Sequence, residues 1–111
     1  MVERIQQLNI VFGSLSDPTR RDILQRVAKR DMSIGEIAIK YKLTFAAISK
    51  HLAVLERAKL IRKKRRGKEQ MVTLAPKALA SATAYLEQYE KVWETRLDSL
   101  DRFLKLKDDG D

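Results

Sequence analysis

The spacing of apolar residues changes once along this 111-residue chain, and that change constrains the fold more than any other feature. Up to Leu60, apolar side chains recur every three or four residues, which is the period of a helix with one buried face. Between Ile61 and Leu74 the pattern is that of two short strands around a glycine turn. Helical spacing returns from Pro76. The sequence therefore predicts a mainly α-helical fold with one small β-hairpin.

Two helices are predicted before residue 30. The first has an apolar face that steps by three and four residues: Ile5, Leu8, Phe12 and Leu15. The second begins at Asp17-Pro18, an N-cap residue followed by a proline at the first helical position, where the missing N–H costs nothing. Its predicted buried stripe is Ile23, Leu24, Val27 and Ala28.

Two further short helices are predicted on either side of a turn. Ser33 and Glu36 have the spacing of a capping box, which marks the start of a third helix. The periodicity breaks around residues 41–43, and Thr44 can cap a fourth helix. The apolar positions of that helix are Ile48, Leu52 and Leu55. Two short helices joined by a tight turn form a helix-turn-helix arrangement.

The fourth helix, within Thr44–Ala58, is the predicted recognition segment. A helix fits the major groove of DNA, and its N-terminal residues can reach base edges while the preceding helix braces against the backbone. Because the apolar positions face the core, the remaining residues of the first two turns are candidate DNA contacts. They are Thr44, Phe45, Ala46, Ala47, Ser49, Lys50 and His51.

The predicted hairpin carries six cations in the seven residues 62–68. Such charge density suits neutralisation of phosphates, and a hairpin can straddle a backbone or enter a minor groove. The alternative is a solvated basic loop without a partner. The candidate contacts in this hairpin, or wing, are Lys63, Lys64, Arg65, Arg66, Gly67 and Lys68.

Charge and composition point to the same class of partner. The formal net charge is +8, but residues 87–111 hold eight acids and five bases, a net of −3, so residues 1–86 carry +11. This distribution favours a polyanionic partner for the first part of the chain. The absence of cysteine fits a reducing cytoplasm, and no apolar run is long enough to span a membrane. We therefore expect a cytoplasmic protein with no membrane partner.

The helix predicted from Pro76 to residue 106 carries a seam of roughly seven-residue period, and residues 107–111 are predicted to fray. The seam consists of Leu79, Ala82, Leu86, Tyr89, Trp93, Leu97, Leu100 and Leu104. Within it, Tyr85, Tyr89 and Trp93 form an aromatic stripe. Packing in the helical seam explains this stripe, and a ligand pocket at a dimer interface is the alternative.

Several of these segments together resemble the ArsR-type family of bacterial and archaeal winged-helix repressors. The segments are Leu15–Arg21, Ala47–Leu52, Leu55–Ile61 and the wing, and the resemblance extends from about Gln7 to Phe103. It implies a symmetric homodimer built from the first and last helices, with two recognition helices one DNA turn apart and repression by occupying a promoter. The implied interface residues are Ile5, Leu8, Phe12, Leu86, Tyr89, Trp93, Leu97 and Leu100.

The resemblance also implies one winged helix-turn-helix domain over residues 1–111. In it, residues 15–75 form the DNA-binding core, and residues 1–14 and 76–106 form the dimerisation helices. Relatives commonly have glycine where Lys42 and Lys59 stand, at a turn and a helix end that favour left-handed backbone. Lysine can adopt that conformation at an energetic cost.

Metal-sensing members of the family carry cysteines in the helix before the recognition helix, or histidines with carboxylates in the last helix. Here residues 34–39 contain no thiol and the last helix contains no histidine, so the chain resembles a branch that lacks the metal-sensing cysteines. We expect no metal and no cofactor. For the single histidine, His51, a structural or phosphate-facing role is favoured over metal binding, because one imidazole cannot build a zinc site without other strong ligands nearby. The carboxylates of the last helix alternate with cations, which favours a solvated, ion-paired face.

The predicted function is that of a dimeric, sequence-specific repressor that binds a palindromic promoter site in double-stranded DNA, with its own promoter as a candidate target. Catalysis finds no support, because the chain has no second histidine, no cysteine and no glycine-rich phosphate loop. Two alternatives stay open at this point. One is a non-specific architectural DNA-binding protein, and the other is a winged-helix scaffold that docks an acidic protein. A small-molecule effector is also left open.

Overall fold

The computed structural model describes the backbone of residues 2–109 and the side chains of residues 4–106. The described elements follow the order α1 Val2–Ser14, α2 Pro18–Lys29, β1 Met32–Ser33, α3 Ile34–Tyr41, α4 Phe45–Arg57, β2 Ile61–Arg66, β3 Glu69–Leu74 and α5 Pro76–Asp109. Two compact units are present, one ending at Ala80 and one beginning at Ser81. The predicted fold class, mainly α with a small sheet, is confirmed.

The predicted helix starts at α2 and α3 are confirmed by their hydrogen bonds. The Asp17 carboxylate accepts from the backbone N–H groups of Thr19 and Arg20, at 2.8 Å and 3.1 Å. These bonds, chiefly the one from Arg20, lower the pKa of Asp17. At α3 the Ser33 hydroxyl accepts from the Glu36 N–H, and the Glu36 carboxylate accepts from the Ser33 N–H. At both helix starts, side chains thus accept hydrogen bonds from backbone N–H groups that have no acceptor within the helix.

The sheet has three antiparallel strands in the order β1-β3-β2, whereas the sequence predicted only the hairpin. The unpredicted strand, β1, is two residues long, and Met32 pairs with Val72. Two residues are too few for an alternating pattern, so only pairing with β3 defines this strand. The hairpin strands β2 and β3 pair from Ile61 opposite Leu74 to Arg66 opposite Glu69. The predicted turn at Gly67 is confirmed.

The core of the first unit is formed where α1, α2, α3, α4 and the sheet meet. Its fully buried side chains are Val11, Ile23, Val27, Ile37, Ile48, Leu52, Leu55, Leu60, Ile61 and Val72. Two residues on the predicted apolar faces of α1 and α2 are exposed. Ala28 was predicted to be buried but is exposed, because the buried stripe of α2 is narrow and centred on Ile23 and Val27. On α1 the buried residues are Val11 and Ser14, whereas the predicted Ile5 is exposed.

The backbone is left-handed at Lys42 and Lys59, with φ angles of 54° and 62°. Lys42 is the C-cap of α3, and Lys59 follows the C-cap of α4. Leu60 N donates to Leu55 O at 3.1 Å, and this bond closes the end of α4 before β2 begins. Both lysines adopt a conformation that costs an L-residue energy, so tertiary packing holds these two turns in place.

In the second unit α5 continues to Asp109, three residues past its predicted end. Fraying was predicted for residues 107–111; residues 107–109 are helical, and residues 110–111 lie outside the described part of the chain. Large apolar side chains stay exposed along this helix, among them Leu86, Tyr89, Trp93, Leu97 and Leu100. None of the helices in residues 2–109 combines the length and apolarity needed to cross a membrane.

Candidate nucleic-acid interface

The turn between α3 and α4 sets where the fourth helix begins. After α3 ends at Tyr41, the chain turns at Lys42, and Leu43 N donates to Ala38 O at 3.2 Å. Thr44 then caps α4, since its hydroxyl accepts from Ala47 N at 3.1 Å. The predicted cap is confirmed. The exit from α3 and the start of α4 are each closed by hydrogen bonds, so the first turn of α4 is well defined.

The core anchors one face of α4 and leaves the opposite face open. Ile48, Leu52 and Leu55 are completely buried, as predicted. Phe45 is 62% exposed at the start of the helix, which is unusual for a large aromatic side chain. Of the other candidate contacts, Thr44, Ala46 and Lys50 are exposed, whereas Ala47, Ser49 and His51 are half-buried. The structure therefore places all seven candidates away from the buried stripe.

His51 contacts a residue that the sequence did not connect to it. Nη1 of Arg20 lies 3.5 Å from Nδ1 of His51, across 31 residues of sequence. Arg20 is half-buried on α2. Its Nε also donates to Ser14 O at 2.7 Å. No local pattern signals this contact, because it depends on how α1 and α2 pack beside α4.

The wing presents most of its predicted cations to solvent. Lys64, Arg65, Arg66 and Lys68 are exposed around the β2–β3 turn. Gly67 occupies the turn with a φ of 63°, a conformation that glycine adopts without cost. The Nε of Arg65 donates to Gly67 O at 3.3 Å. The result is an exposed, positively charged hairpin of the kind that phosphates attract.

Lys63 differs from the other wing candidates. Its side chain is only 22% exposed, and its Nζ lies 3.5 Å from a carboxylate oxygen of Glu56 on α4. The alternation of side chains along β2 explains this, because Lys63 shares a face with the buried Ile61. Lys63 therefore joins the wing to α4, and it is less available to a ligand than its neighbours.

A second contact supports the far end of α4. Nε2 of Gln7 on α1 donates to the backbone oxygen of Ala58 at 3.1 Å, across 51 residues of sequence. Ala58 is completely buried. Helix α4 is thus held at its end by α1, in its middle by the core and at its start by the Thr44 cap.

The residues present do not fit the metal sites of the family. Within the part of the chain that the structure describes, no group of three or more histidine, cysteine, aspartate or glutamate side chains comes together as a set of metal ligands. The chain has no cysteine to supply a thiolate. His51 is the one histidine that the sequence offers as a metal ligand, and its Nδ1 lies 3.5 Å from Nη1 of the cationic Arg20.

Residues 15–64 match a family described as a helix-turn-helix domain. The chain is 42% identical over 60 residues to the transcriptional repressor SdpR of Bacillus subtilis, a match that covers 54% of this chain and 67% of that protein. It is 33% identical over 78 residues to the HTH-type transcriptional regulator Rv2034 of Mycobacterium tuberculosis, covering 70% of this chain and 73% of the relative.

Among solved structures, the chain is similar to an ArsR-like transcriptional regulator from Rhodococcus sp. RHA1. The TM-score is 0.73 at 28% sequence identity, and the alignment covers 89% of this chain and 93% of the other.

Helices α3 and α4 followed by an exposed basic hairpin define a winged helix-turn-helix protein, which is a class of DNA-binding module. The likeness to the relatives extends beyond the helix-turn-helix itself. The chain belongs to the ArsR family of winged helix-turn-helix transcriptional regulators.

Proposed function

We propose that this protein is a homodimeric transcriptional repressor that binds a palindromic site in double-stranded promoter DNA without a metal. The observation that carries this proposal is the open face of α4, which lies in the same unit as an exposed basic wing. The Bacillus relative is itself named a transcriptional repressor. A regulator of chromosomal promoters acts in the cytoplasm, so we place the protein there.

The open face of α4 supports the proposal that this helix recognises the base sequence of DNA. Direct readout requires side chains on the first turns of a helix that are free to meet base edges in the major groove. Phe45 offers an apolar contact, and Ser49 and Lys50 offer hydrogen-bond donors. We assign this role to Thr44, Phe45, Ala46, Ala47, Ser49, Lys50 and His51.

The wing has the chemistry to increase affinity for DNA rather than to discriminate between base sequences. Lys64, Arg65, Arg66 and Lys68 are exposed cations on long side chains, and phosphate contacts of this kind position a protein without discriminating between bases. Gly67 lets the tip of the hairpin approach a backbone closely. Lys63 contributes less, because it already pairs with Glu56.

Exposed and half-buried apolar side chains support dimerisation. On α5, Trp93 is 67% exposed and Leu97 is 49% exposed. Leu86, Tyr89 and Leu100 extend the same seam at the spacing of a helix that packs against another helix. On α1, Ile5 is exposed, and Leu8 and Phe12 are half-buried. Burial of these side chains in a second copy would remove apolar surface that a monomer leaves in water.

The proposed roles divide the chain into a DNA-binding core, residues 15–75, and dimerisation helices, residues 1–14 and 76–106. A palindromic site follows from a two-fold dimer, because each α4 meets an equivalent half-site. We propose regulation without catalysis, since the open face of α4 and the wing have the chemistry of DNA binding.

Footprinting and gel-shift titration on the DNA upstream of the gene test the proposal at physiological salt. We expect a protected, imperfect palindrome and binding at least about 1000-fold tighter than to random duplex of the same length. Equal affinity for every duplex would favour a non-specific architectural protein. No DNA binding at all would favour a scaffold for an acidic protein. Either result would overturn the proposed function.

A further inference from the structure

Arg20 connects the end of α1 to the proposed recognition helix. Its guanidinium donates from Nε to Ser14 O at 2.7 Å and from Nη2 to Gly13 O at 3.4 Å. Its third nitrogen, Nη1, lies 3.5 Å from Nδ1 of His51. The planar fork of an arginine is therefore oriented by two carbonyl oxygens of α1, with its remaining nitrogen directed at the imidazole.

This contact determines which nitrogen of His51 carries the proton. A guanidinium has donors only, so Nδ1 of His51 must be the acceptor. A neutral imidazole with an acceptor at Nδ1 carries its proton on Nε2. In the part of the chain that the structure describes, no hydrogen bond is assigned to Nε2, and the ring is half-buried on the proposed DNA-binding face.

We infer that Arg20 is a positioning residue that holds His51 as its Nε2–H tautomer, so that the ring presents a hydrogen-bond donor to an acceptor oxygen of DNA. This inference rests on the proposed function. Arg20 does not itself read sequence; it orients a side chain that does. The same logic operates where a partner on one ring nitrogen of a histidine fixes the chemistry of the other.

The charged groups on α2 beside His51 are Arg20 and Asp17. Asp17 is engaged by two backbone N–H groups at the start of α2, not by the imidazole. On α4 itself the nearest cation in sequence, Lys50, is exposed.

The tautomer can be measured directly in the free protein, because His51 is the only histidine. Nitrogen-15 chemical shifts of the imidazole report which ring nitrogen is protonated. We expect the Nε2–H form in the wild type and a mixture in Arg20→Lys, which keeps the charge but loses the fork. Arg21→Lys is the matched control, since Arg21 donates to Leu15 O and has no bond to His51. It should leave the tautomer unchanged.

DNA titrations then test the consequence. We expect Arg20→Lys to weaken binding to the footprinted palindrome by about two- to fivefold, because only the Nε2–H fraction of the mixture presents the donor, and to leave random-duplex binding nearly unchanged. In His51→Gln, whose amide donor has no tautomers, adding Arg20→Lys should change palindrome affinity by less than about twofold. Urea unfolding of the same four proteins should show that each is fully folded under the conditions of the titrations, so that the affinity changes do not report loss of folded protein.

Three results would overturn the inference. One is an unchanged tautomer in Arg20→Lys. Another is an equal loss of palindrome affinity from Arg20→Lys in the wild-type and His51→Gln backgrounds, which would mean that Arg20 acts by charge or by stability. The third is that the wild-type protein shows no preference for any palindrome, a result that would also contradict the proposed function. The tautomer measurement needs no DNA, so it distinguishes this last case from failure of the Arg20 contact alone.

Discussion

The hydroxyl of Tyr41, the last residue of α3, donates a hydrogen bond to the carboxylate of Asp22 on α2. Arg26 joins the pair, since its Nε lies 3.1 Å from both the Asp22 carboxylate and the Tyr41 oxygen. Tyr41 precedes the turn at Lys42, so the pair fixes the end of α3 just before the chain enters α4, the proposed recognition helix. The bond from Tyr41, followed by that from Arg26, lowers the pKa of Asp22.

Tyr41→Phe should destabilise the protein by on the order of 1 kcal/mol near neutral pH, because it removes a partly buried hydrogen bond. Burial, and next the bond to Asp22, raise the pKa of Tyr41 from 10.0 to about 12. A raised folded-state pKa stabilises the fold below the unfolded value, and that stability is lost as the pH rises from 10 to 12. Urea unfolding at several pH values across this range should show that the free energy of unfolding falls less with rising pH in Tyr41→Phe than in the wild type. An identical fall in both proteins would contradict the conclusion that Tyr41 is the group responsible.

Lys42→Gly and Lys59→Gly should each stabilise the fold by about 0.5–1 kcal/mol, because glycine adopts a left-handed backbone without the steric cost of a side chain. Denaturant titration measures the effect. Gln25→Gly, in the middle of α2 and exposed, is the control and should cost about 1 kcal/mol. Destabilisation by both lysine substitutions would show that their side chains hold the turns.

Thr44→Ala should cost about 1 kcal/mol of stability through loss of the bond from Ala47 N. Because this cap defines the first turn of α4, palindrome affinity should fall as well. Thr44→Ser keeps the hydroxyl and should restore stability. If Thr44→Ala has wild-type stability in thermal and urea unfolding, the cap does not anchor the helix.

Wing and helix substitutions should affect DNA binding in different ways. Lys64→Ala and Arg66→Ala should weaken binding to all duplexes, and each should reduce the salt slope by roughly 1. Lys63→Ala should have a smaller effect, because Lys63 pairs with Glu56. Ser49→Ala and Lys50→Ala should instead change sequence preference. Titrations at several salt concentrations, on palindromic and random duplexes, separate these outcomes.

If α5 forms the proposed dimer seam, Trp93→Ala and Leu97→Ala should each weaken dimerisation by a few kcal/mol. Sedimentation velocity over a range of concentrations measures this. Glu94→Ala removes a neighbouring exposed carboxylate and serves as the control. Unchanged sedimentation in both apolar variants would place the interface elsewhere.

Much of the fold could be predicted because its signals are local. The caps at Asp17, Ser33 and Thr44 involve residues two or three positions apart, and the structure confirms each bond. Strand β1 could not be predicted, since two residues become a strand only by pairing with Val72 and Met71 in β3. The candidate DNA contacts and dimer residues stay predictions, although their exposure is compatible with the proposed roles.

Within the candidate site, the sequence by itself determined the boundaries of α4, its buried stripe and the basic composition of the wing, because periodicity, capping and charge are properties of neighbouring residues. Tertiary structure alone decided which of those side chains are engaged inside the protein. It turned Lys63 towards Glu56 and brought Arg20 to His51 across 31 residues. Both contacts arise when elements distant in sequence pack around one core, and no local pattern of residues encodes that packing.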